Sequence, residues 1–106
     1  MAQAVLRIEG LPEEAVDAAA RFYGEWLPKA RALLDPPLAG EDLVLVFPPA
    51  DHTHRAWRLA AVQNLAREAP PRRVNAIAGN EEQAIAAALA WLADALGITG
   101  QLLEVG

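Results

Sequence analysis

The sequence contains no cysteine among its 106 residues. This absence excludes disulfides, thiolate nucleophiles and thiolate metal sites, and it suits a reducing compartment. Long apolar runs are also missing, because no stretch approaches the ~20 residues needed to span a bilayer. Residues 1–4 do not open a basic region followed by an apolar segment, as a secretory signal would. We therefore expect a cytoplasmic protein.

Positive charge is scarce in this chain. Lys and Arg number 9 against 14 Asp and Glu, so the net charge is −5, and the isoelectric point is about 4.9. An acidic protein repels the phosphates of nucleic acids and the surfaces of anionic membranes. We expect neither a nucleic acid nor a membrane as a partner.

Apolar residues, in contrast, are abundant. They make up 54% of the chain, and the mean hydropathy is +0.13. A chain of 106 residues lies near the commonest size of one domain and keeps a large ratio of surface to volume. We expect a single domain over residues 1–106, with more apolar surface than it can bury alone, and therefore self-association.

Four short apolar segments are typical of β-strands because aliphatic and β-branched residues are bounded by turn residues. They cover residues 4–8, 43–47, 74–78 and 101–105. The second segment has no polar alternation, which indicates a strand buried on both faces of a parallel sheet.

Two helices are predicted between the first three strands from apolar positions at helical spacing. The first covers residues 13–34 and is expected to kink at Pro28 and to end at residues 35–37, where two prolines follow Asp35. The second covers residues 53–68. Its apolar residues lie on two sides of the helix instead of in one stripe. One side can cover the sheet, and the other is then available to a partner subunit.

A third helix is predicted from the capping pattern of Asn80 followed by Gln83. We expect Gly97 to supply its left-handed end. Asp94 is the only charged residue between positions 84 and 96, so we expect this helix to be enclosed nearly all round.

Strands and helices alternate, which predicts an α/β protein with a mainly parallel, four-stranded sheet. Right-handed crossovers along a sheet that grows in one direction would place all three helices on one face. The other face would then be bare and apolar.

Three motifs follow one another in the second half of the chain. They are Leu65-Ala66-Arg67-Glu68, Arg73-Val74-Asn75-Ala76-Ile77 and Ile98-Thr99-Gly100-Gln101-Leu102-Leu103-Glu104-Val105. In this order and spacing they resemble the closing segments of short-chain dehydrogenases/reductases. The resemblance is good over residues 42–106 and loose over the first forty. It implies a three-layer half-Rossmann domain that corresponds to the family's C-terminal half. It also implies that the last helix crosses the face opposite to the other two.

The parts that such enzymes need for catalysis do not appear in the sequence. No Gly-rich turn offers a grip for a dinucleotide. Asp51 and Arg55 occupy the positions at which the resemblance places the Tyr and Lys of a Tyr-x-x-x-Lys pair. An ionised carboxylate cannot donate a proton to a carbonyl, and Arg differs from Lys in geometry. We therefore expect a truncated, degenerate, non-catalytic member that has no cofactor.

One polar cluster, residues 51–55, has side chains that could perform chemistry. Two His separated by one residue are a weak metal signal without a third ligand, so we predict no metal site. A solvated helix start capped by Asp51 or Thr53 is the plain interpretation, and anion binding helped by Arg55 and Arg58 is an alternative. A further alternative is a small-molecule binder or a residual enzyme that uses a crevice at the carboxyl ends of the strands, with six lining residues. They are Phe47, His52, His54, Arg55, Gly79 and Asn80.

The leading functional hypothesis is a homodimeric structural or interaction protein. The resemblance implies that the first two helices pack against their copies as a four-helix bundle. The interface candidates are Val16, Tyr23, Trp26, Trp57, Ala61 and Leu65. A regulatory partnership with a full-length dehydrogenase through the same helices is an alternative.

Overall fold

The computed structural model describes residues 3–35 and 41–106, which form a four-stranded parallel sheet. The strands lie in chain order, β1-β2-β3-β4, and every neighbouring pair is parallel. This confirms the predicted fold class and all four predicted strands. Their bounds are β1 Gln3–Arg7, β2 Asp42–Phe47, β3 Val74–Ala78 and β4 Leu102–Glu104.

The side chains of strand β2 show why both faces of the sheet must be covered. Leu43, Leu45 and Phe47 point into one apolar core, while Val44 and Val46 point into a second core on the other face. Successive side chains alternate between faces, so an uninterrupted apolar run needs cover on both sides. The prediction of a doubly buried strand is confirmed.

The first predicted helix is continuous but changes its winding ahead of Pro28. It consists of α1 (Ala15–Arg21), a π-helical turn (Phe22–Trp26) and α2 (Leu27–Leu34). Proline has no N–H to donate to the preceding turn, and wider turns commonly accommodate such a defect. The helix ends at Leu34, and the prolines at 36 and 37 that were expected to stop it lie outside the described residues.

Helix α3 (Arg55–Glu68) follows β2 through a short 3₁₀ turn, His52–His54. Its Ala61, Val62 and Leu65 join the core that also receives Phe22 and Ala30 from the first helix. Helices α1, α2 and α3 therefore form one layer on a single face of the sheet.

Helix α4 (Glu82–Asp94) forms the third layer on the opposite face. Its Ile85, Ala88 and Leu92 pack with Val44 and other residues of the second core. Each new strand is added on the same side of the previous one, so a helix on the opposite face gives the β3–β4 connection the opposite hand to the first two connections. The expectation from right-handed crossovers, that all three helices lie on one face, is therefore wrong for α4. The expectation from the family resemblance, that the last helix crosses the opposite face, is confirmed.

The two ends of α4 differ from the sequence prediction. Glu81 is the N-cap, one residue later than Asn80, and its carboxylate accepts from the backbone N–H groups of Gln83 and Ala84 at 3.0 and 2.7 Å. A carboxylate can accept two bonds at once and is further favoured by the helix dipole. Gly97 does not adopt a left-handed conformation, which among the described glycines is found at Gly10 and Gly100.

Arg73 closes the C-terminal end of α4 in place of a glycine. Its Nη1 donates to the Leu92 carbonyl at 2.9 Å and also contacts the Ala95 carbonyl. Its Nε donates to Asp42 at 2.9 Å, and its backbone N–H donates to the same carboxylate at 2.7 Å. A cation placed at the last carbonyls satisfies groups that the helix leaves open.

The outer side of α4 is not enclosed, contrary to the prediction. Trp91 is 54% exposed and Leu96, just beyond the helix, is 79% exposed. The nearly uncharged segment 84–96 therefore packs in the core on one side and presents apolar side chains to solvent on the other. No helix in the described part of the chain is long and apolar enough to cross a membrane.

Asn75 joins strand β3 to the turn that precedes β4. Its side-chain amide donates to the Ile98 carbonyl at 2.9 Å and accepts from the Gln101 N–H at 3.0 Å. Thr99 adds a hydroxyl that accepts from the Val74 N–H at 3.0 Å. The motifs 73–77 and 98–105 thus act on each other directly, as one structural unit.

We predict that Asn75→Ala lowers the free energy of unfolding by about 2–3 kcal/mol, because the buried Asn75 amide is lost and two backbone groups of the partly buried turn before β4 lose their partner. Urea denaturation followed by circular dichroism measures the change. Asn64→Ala is the matched control, since Asn64 is exposed and bonded to the exposed Arg67, and it should cost less than about 0.5 kcal/mol. Equal losses in the two variants would contradict the role given to Asn75.

Candidate functional site

The carboxyl ends of the strands surround an aromatic cluster on the face covered by α1–α3. Phe47, the last residue of β2, lies 5.7 Å from Phe22 and 5.7 Å from Trp57 between ring centroids. Phe22 and Trp57 are 5.6 Å apart. These spacings are those of favourable tilted and edge-to-face pairs. The cluster fixes the start of α3, on which the candidate polar residues lie.

His54 is buried and both of its ring nitrogens are engaged. Its Nδ1 accepts from Trp57 Nε1 at 3.1 Å, and its Nε2 lies 2.8 Å from the Glu13 carbonyl. Indole N–H can only donate, so the proton of the imidazole is on Nε2 and is donated to Glu13. The ring ties the loop before α1 to α3 and offers no free nitrogen to a metal or a substrate.

The metal alternative finds no support from the neighbours of His54. Among residues 3–35 and 41–106, no group of three or more His, Cys, Asp or Glu is placed to hold a metal ion. His52 is exposed at the start of the 3₁₀ turn, whereas His54 is buried.

Asp51 caps the 3₁₀ turn, as one of the two predicted caps. Its Oδ1 accepts from the Thr53 N–H at 2.9 Å and from the Thr53 hydroxyl. These hydrogen bonds lower the pKa of the Asp51 carboxyl below its ordinary value of 3.8. The group is therefore ionised at neutral pH and has no proton to give.

Arg55, the other degenerate catalytic position, is exposed at the first turn of α3. Its Nε lies 4.0 Å from a carboxylate oxygen of Glu104, in a solvent-exposed pair. Such pairs contribute little to stability. Asp51 and Arg55 thus have local structural contacts instead of a shared catalytic geometry.

The six crevice candidates do not meet in one place. Phe47, Gly79 and Asn80 line a cavity beside Arg7 and Glu82. His54 and Arg55 line a different cavity, next to Glu104. His52 lines neither of the two.

Gly79 is needed for close approach of two backbones. A Cβ at this position would meet the Gly106 carbonyl at 2.7 Å and the Val105 side chain at 2.8 Å. The same Gly106 carbonyl accepts from the N–H groups of Asn80 and Glu81 at 3.1 and 2.9 Å. Gly79 and Asn80 are therefore occupied in joining the β3–α4 loop to the residues after β4.

The interface candidates fall into two groups. Val16 is 81% exposed and Tyr23 is 40% exposed, whereas Trp26 and Trp57 are half-buried. Ala61 and Leu65 are each 1% exposed and pack in the core of their own chain. A partner subunit therefore cannot reach these last two, and an interface on these helices must use the outer residues.

Comparison with known families agrees with this architecture. A family model described as "Short chain dehydrogenase-like protein" matches residues 6–105. The chain belongs to this SDR-like family. No curated protein and no solved structure matches the chain. For this SDR-like protein the shared motifs 73–77 and 98–105 therefore mark a fold, and their contacts are structural.

Arg58, which the sequence offered together with Arg55 as a helper of anion binding at a solvated helix start, is buried instead. Arg58 is 4% exposed, and its guanidinium carbon lies 4.6 Å from the centroid of the Phe47 ring. The signal was present in the sequence, because position 58 falls between the apolar positions 57, 61, 62 and 65 of α3. A cation on the inward side of a helix usually marks a specific contact.

We predict a pH-dependent contribution of Asp51 to stability. A carboxyl whose pKa is lower in the folded state stabilises the fold above its unfolded pKa, and this contribution disappears as the pH falls through the folded pKa. The melting temperature of the wild type should therefore exceed that of Asp51→Asn at neutral pH, and the two should converge below about pH 3.8.

Asp51→Ala is the matched comparison, because Asn keeps a cap acceptor and Ala does not. It should melt below Asp51→Asn throughout the pH range. A gap between the wild type and Asp51→Asn that is unchanged in acid would contradict the pKa shift.

Proposed function

We propose that this SDR-like protein is a non-catalytic, homodimeric structural or interaction domain. The non-catalytic part of this proposal rests on Asp51. Its carboxylate is ionised and accepts hydrogen bonds from Thr53, at the position where a catalytic proton donor would be needed. Reduction of a carbonyl by hydride transfer requires a proton for the developing alkoxide. Neither Asp51 nor Arg55 supplies one.

The loop and helix after β1 argue against a dinucleotide. A pyrophosphate binds where glycines let the backbone approach and where a helix start offers its partial positive charge. Here the segment before α1 carries Glu13 and Glu14, and Asp17 follows in the first turn of the helix. These carboxylates already use the helix dipole and repel phosphate.

The outer face of the α1–α3 layer supports the homodimer. We define this outer helical face by its exposed apolar residues, which are Val16, Ala20, Tyr23, Ala56 and Ala60. Small side chains beside a large aromatic one permit close approach of two helical layers. A twofold axis would place the same residues of two copies against each other. The same face could also receive a full-length dehydrogenase.

We predict a particle of twice the 11.3 kDa chain mass in light scattering at micromolar concentration. Val16→Glu and Tyr23→Glu should each shift it towards the monomer, because a charge would be buried at the centre of the interface. Trp91→Glu is the matched control, since Trp91 is similarly exposed but lies on α4.

A wild-type monomer under these conditions would contradict the homodimer. If Trp91→Glu dissociates the dimer and Val16→Glu and Tyr23→Glu do not, the interface lies on α4 and not on the outer helical face.

We predict no saturable change in protein fluorescence on titration with NADH or NADPH, for the electrostatic reason given above. Trp57 lies near the carboxyl ends of the strands, so a bound nicotinamide there would quench or shift its emission. An unrelated dinucleotide-binding dehydrogenase is the positive control. A saturable signal from this SDR-like protein would contradict the loss of cofactor binding.

A further inference from the structure

Arg58 is a buried cation without a counter-ion. Its Nη1 donates to the Pro48 carbonyl at 2.8 Å, and its Nε is buried with no hydrogen-bond partner among the described residues. No carboxylate of that part of the chain forms an ion pair with it. A buried charge of this kind costs free energy unless something of opposite charge reaches it.

The surroundings of Arg58 compensate this charge only in part. The Phe47 ring lies below the guanidinium at 4.6 Å and the Trp57 ring at 5.8 Å, which gives two cation–π contacts. Burial nevertheless lowers the pKa of Arg58, while the field of Glu104 raises it. Arginine stays charged in proteins, so the cation keeps its need for an acceptor.

Two adjoining cavities meet at Arg58. One, of about 250 Å³, extends towards Leu11, Pro12 and Glu13 of the loop after β1. The other, of about 120 Å³, extends towards Ala78 and Glu104 at the ends of β3 and β4. Both are also lined by Pro49, Ala50, Asp51 and His54. The combined space is that of a small molecule.

The hydrogen bond to Pro48 leaves one edge of the guanidinium without a partner. Since Nη1 is engaged, the remaining edge consists of Nε and Nη2, and neither donates to a described residue. The N–H groups of this edge are parallel and match the two oxygens of a carboxylate. This geometry favours a planar, bidentate anion.

The charges around the cavities limit the anion to one negative charge. Asp51 lines both cavities, Glu13 lines the larger one, and Glu104 lines the smaller one together with Arg55, with which it is paired. A dianion such as phosphate would meet these carboxylates at close range, and like charges raise its free energy. A monocarboxylate is neutralised by Arg58 alone.

We infer that Arg58 and the two cavities beside it form a binding site for a small organic monocarboxylate. Nη2 and Nε hold its two oxygens, and because Nε is closed to solvent, the side chains that cover it must move aside when the ligand enters. The short apolar part of the ligand lies against Pro49, Ala50 and Leu11. The site adjoins the degenerate catalytic pair, because Asp51 lines both cavities and Arg55 lines the smaller one, but the group that holds the ligand is Arg58. Arg58 lies at the carboxyl end of β2 and is buried, so it does not belong to the outer helical face of the proposed homodimer.

The test is a titration of the wild-type protein with sodium acetate at constant ionic strength, followed through the arginine Nε–H signals in ¹H–¹⁵N NMR. Backbone-linked assignment identifies the Arg58 signal without any variant. We expect a saturable shift of Arg58, and no comparable shift of the exposed Arg67 on the same helix, which is the internal control. Sodium chloride and sodium phosphate at equal ionic strength should leave Arg58 unmoved.

Two variants sharpen the result. Arg58→Lys keeps the charge but loses the bidentate edge, and should weaken acetate binding on the order of tenfold, measured by thermal shift. Arg67→Gln should bind as the wild type does. If Arg58→Lys does not fold, the wild-type titration decides by itself.

Three outcomes would overturn the site. They are an absent or unsaturable acetate shift, an equal response to phosphate or chloride, and wild-type affinity in Arg58→Lys. Repeating the titration in Val16→Glu separates this result from the homodimer, because dissociation of a dimer should leave the acetate affinity unchanged.

Discussion

The contacts of Arg73 hold the architecture together. One side chain bonds Asp42 at the start of β2 and the last carbonyls of α4, so it joins the sheet to its third layer. Only 14% of the Arg73 side chain and 16% of the Asp42 side chain are accessible, which shields the pair from solvent and salt. Asn75, two residues along, holds the turn before β4. Together they place α4 on the face that ordinary crossovers would leave bare.

This arrangement gives the motifs 73–77 and 98–105 a structural role in this chain. Arg73 holds the C-terminal end of α4 to the start of β2, and Asn75 holds the turn before β4. Asp51 and Arg55 follow the carboxyl end of β2, where Asp51 caps the 3₁₀ turn and Arg55 lies exposed on α3. The contacts of Arg73 and the two proposed degenerate positions therefore lie at opposite ends of the strands.

The sequence predicted the strands well because each is a short apolar run between turn residues. It predicted the ends of α4 poorly, since Arg73 lies about twenty positions from the carbonyls it caps and no local pattern reveals such a contact. The six crevice candidates are distributed over two cavities, with Phe47, Gly79 and Asn80 lining one and His54 and Arg55 lining the other. Such a distribution depends on contacts between distant segments, such as that of Gly79 with Val105 and Gly106, which no local pattern reveals. Arg58 was visible only as a cation on an apolar side of α3.

The lone helix on the far face has a consequence for partial unfolding. Three helical segments share the cover of one side, whereas α4 is the one helix of the described chain that packs on Val44, Val46 and Ile77 on the other. Loss of the Arg73 contacts would loosen this helix, while the first core, which includes Leu102 of β4, keeps its own contacts. Amide hydrogen exchange would then show α4 as a cooperative unit of lower stability than the rest of the sheet.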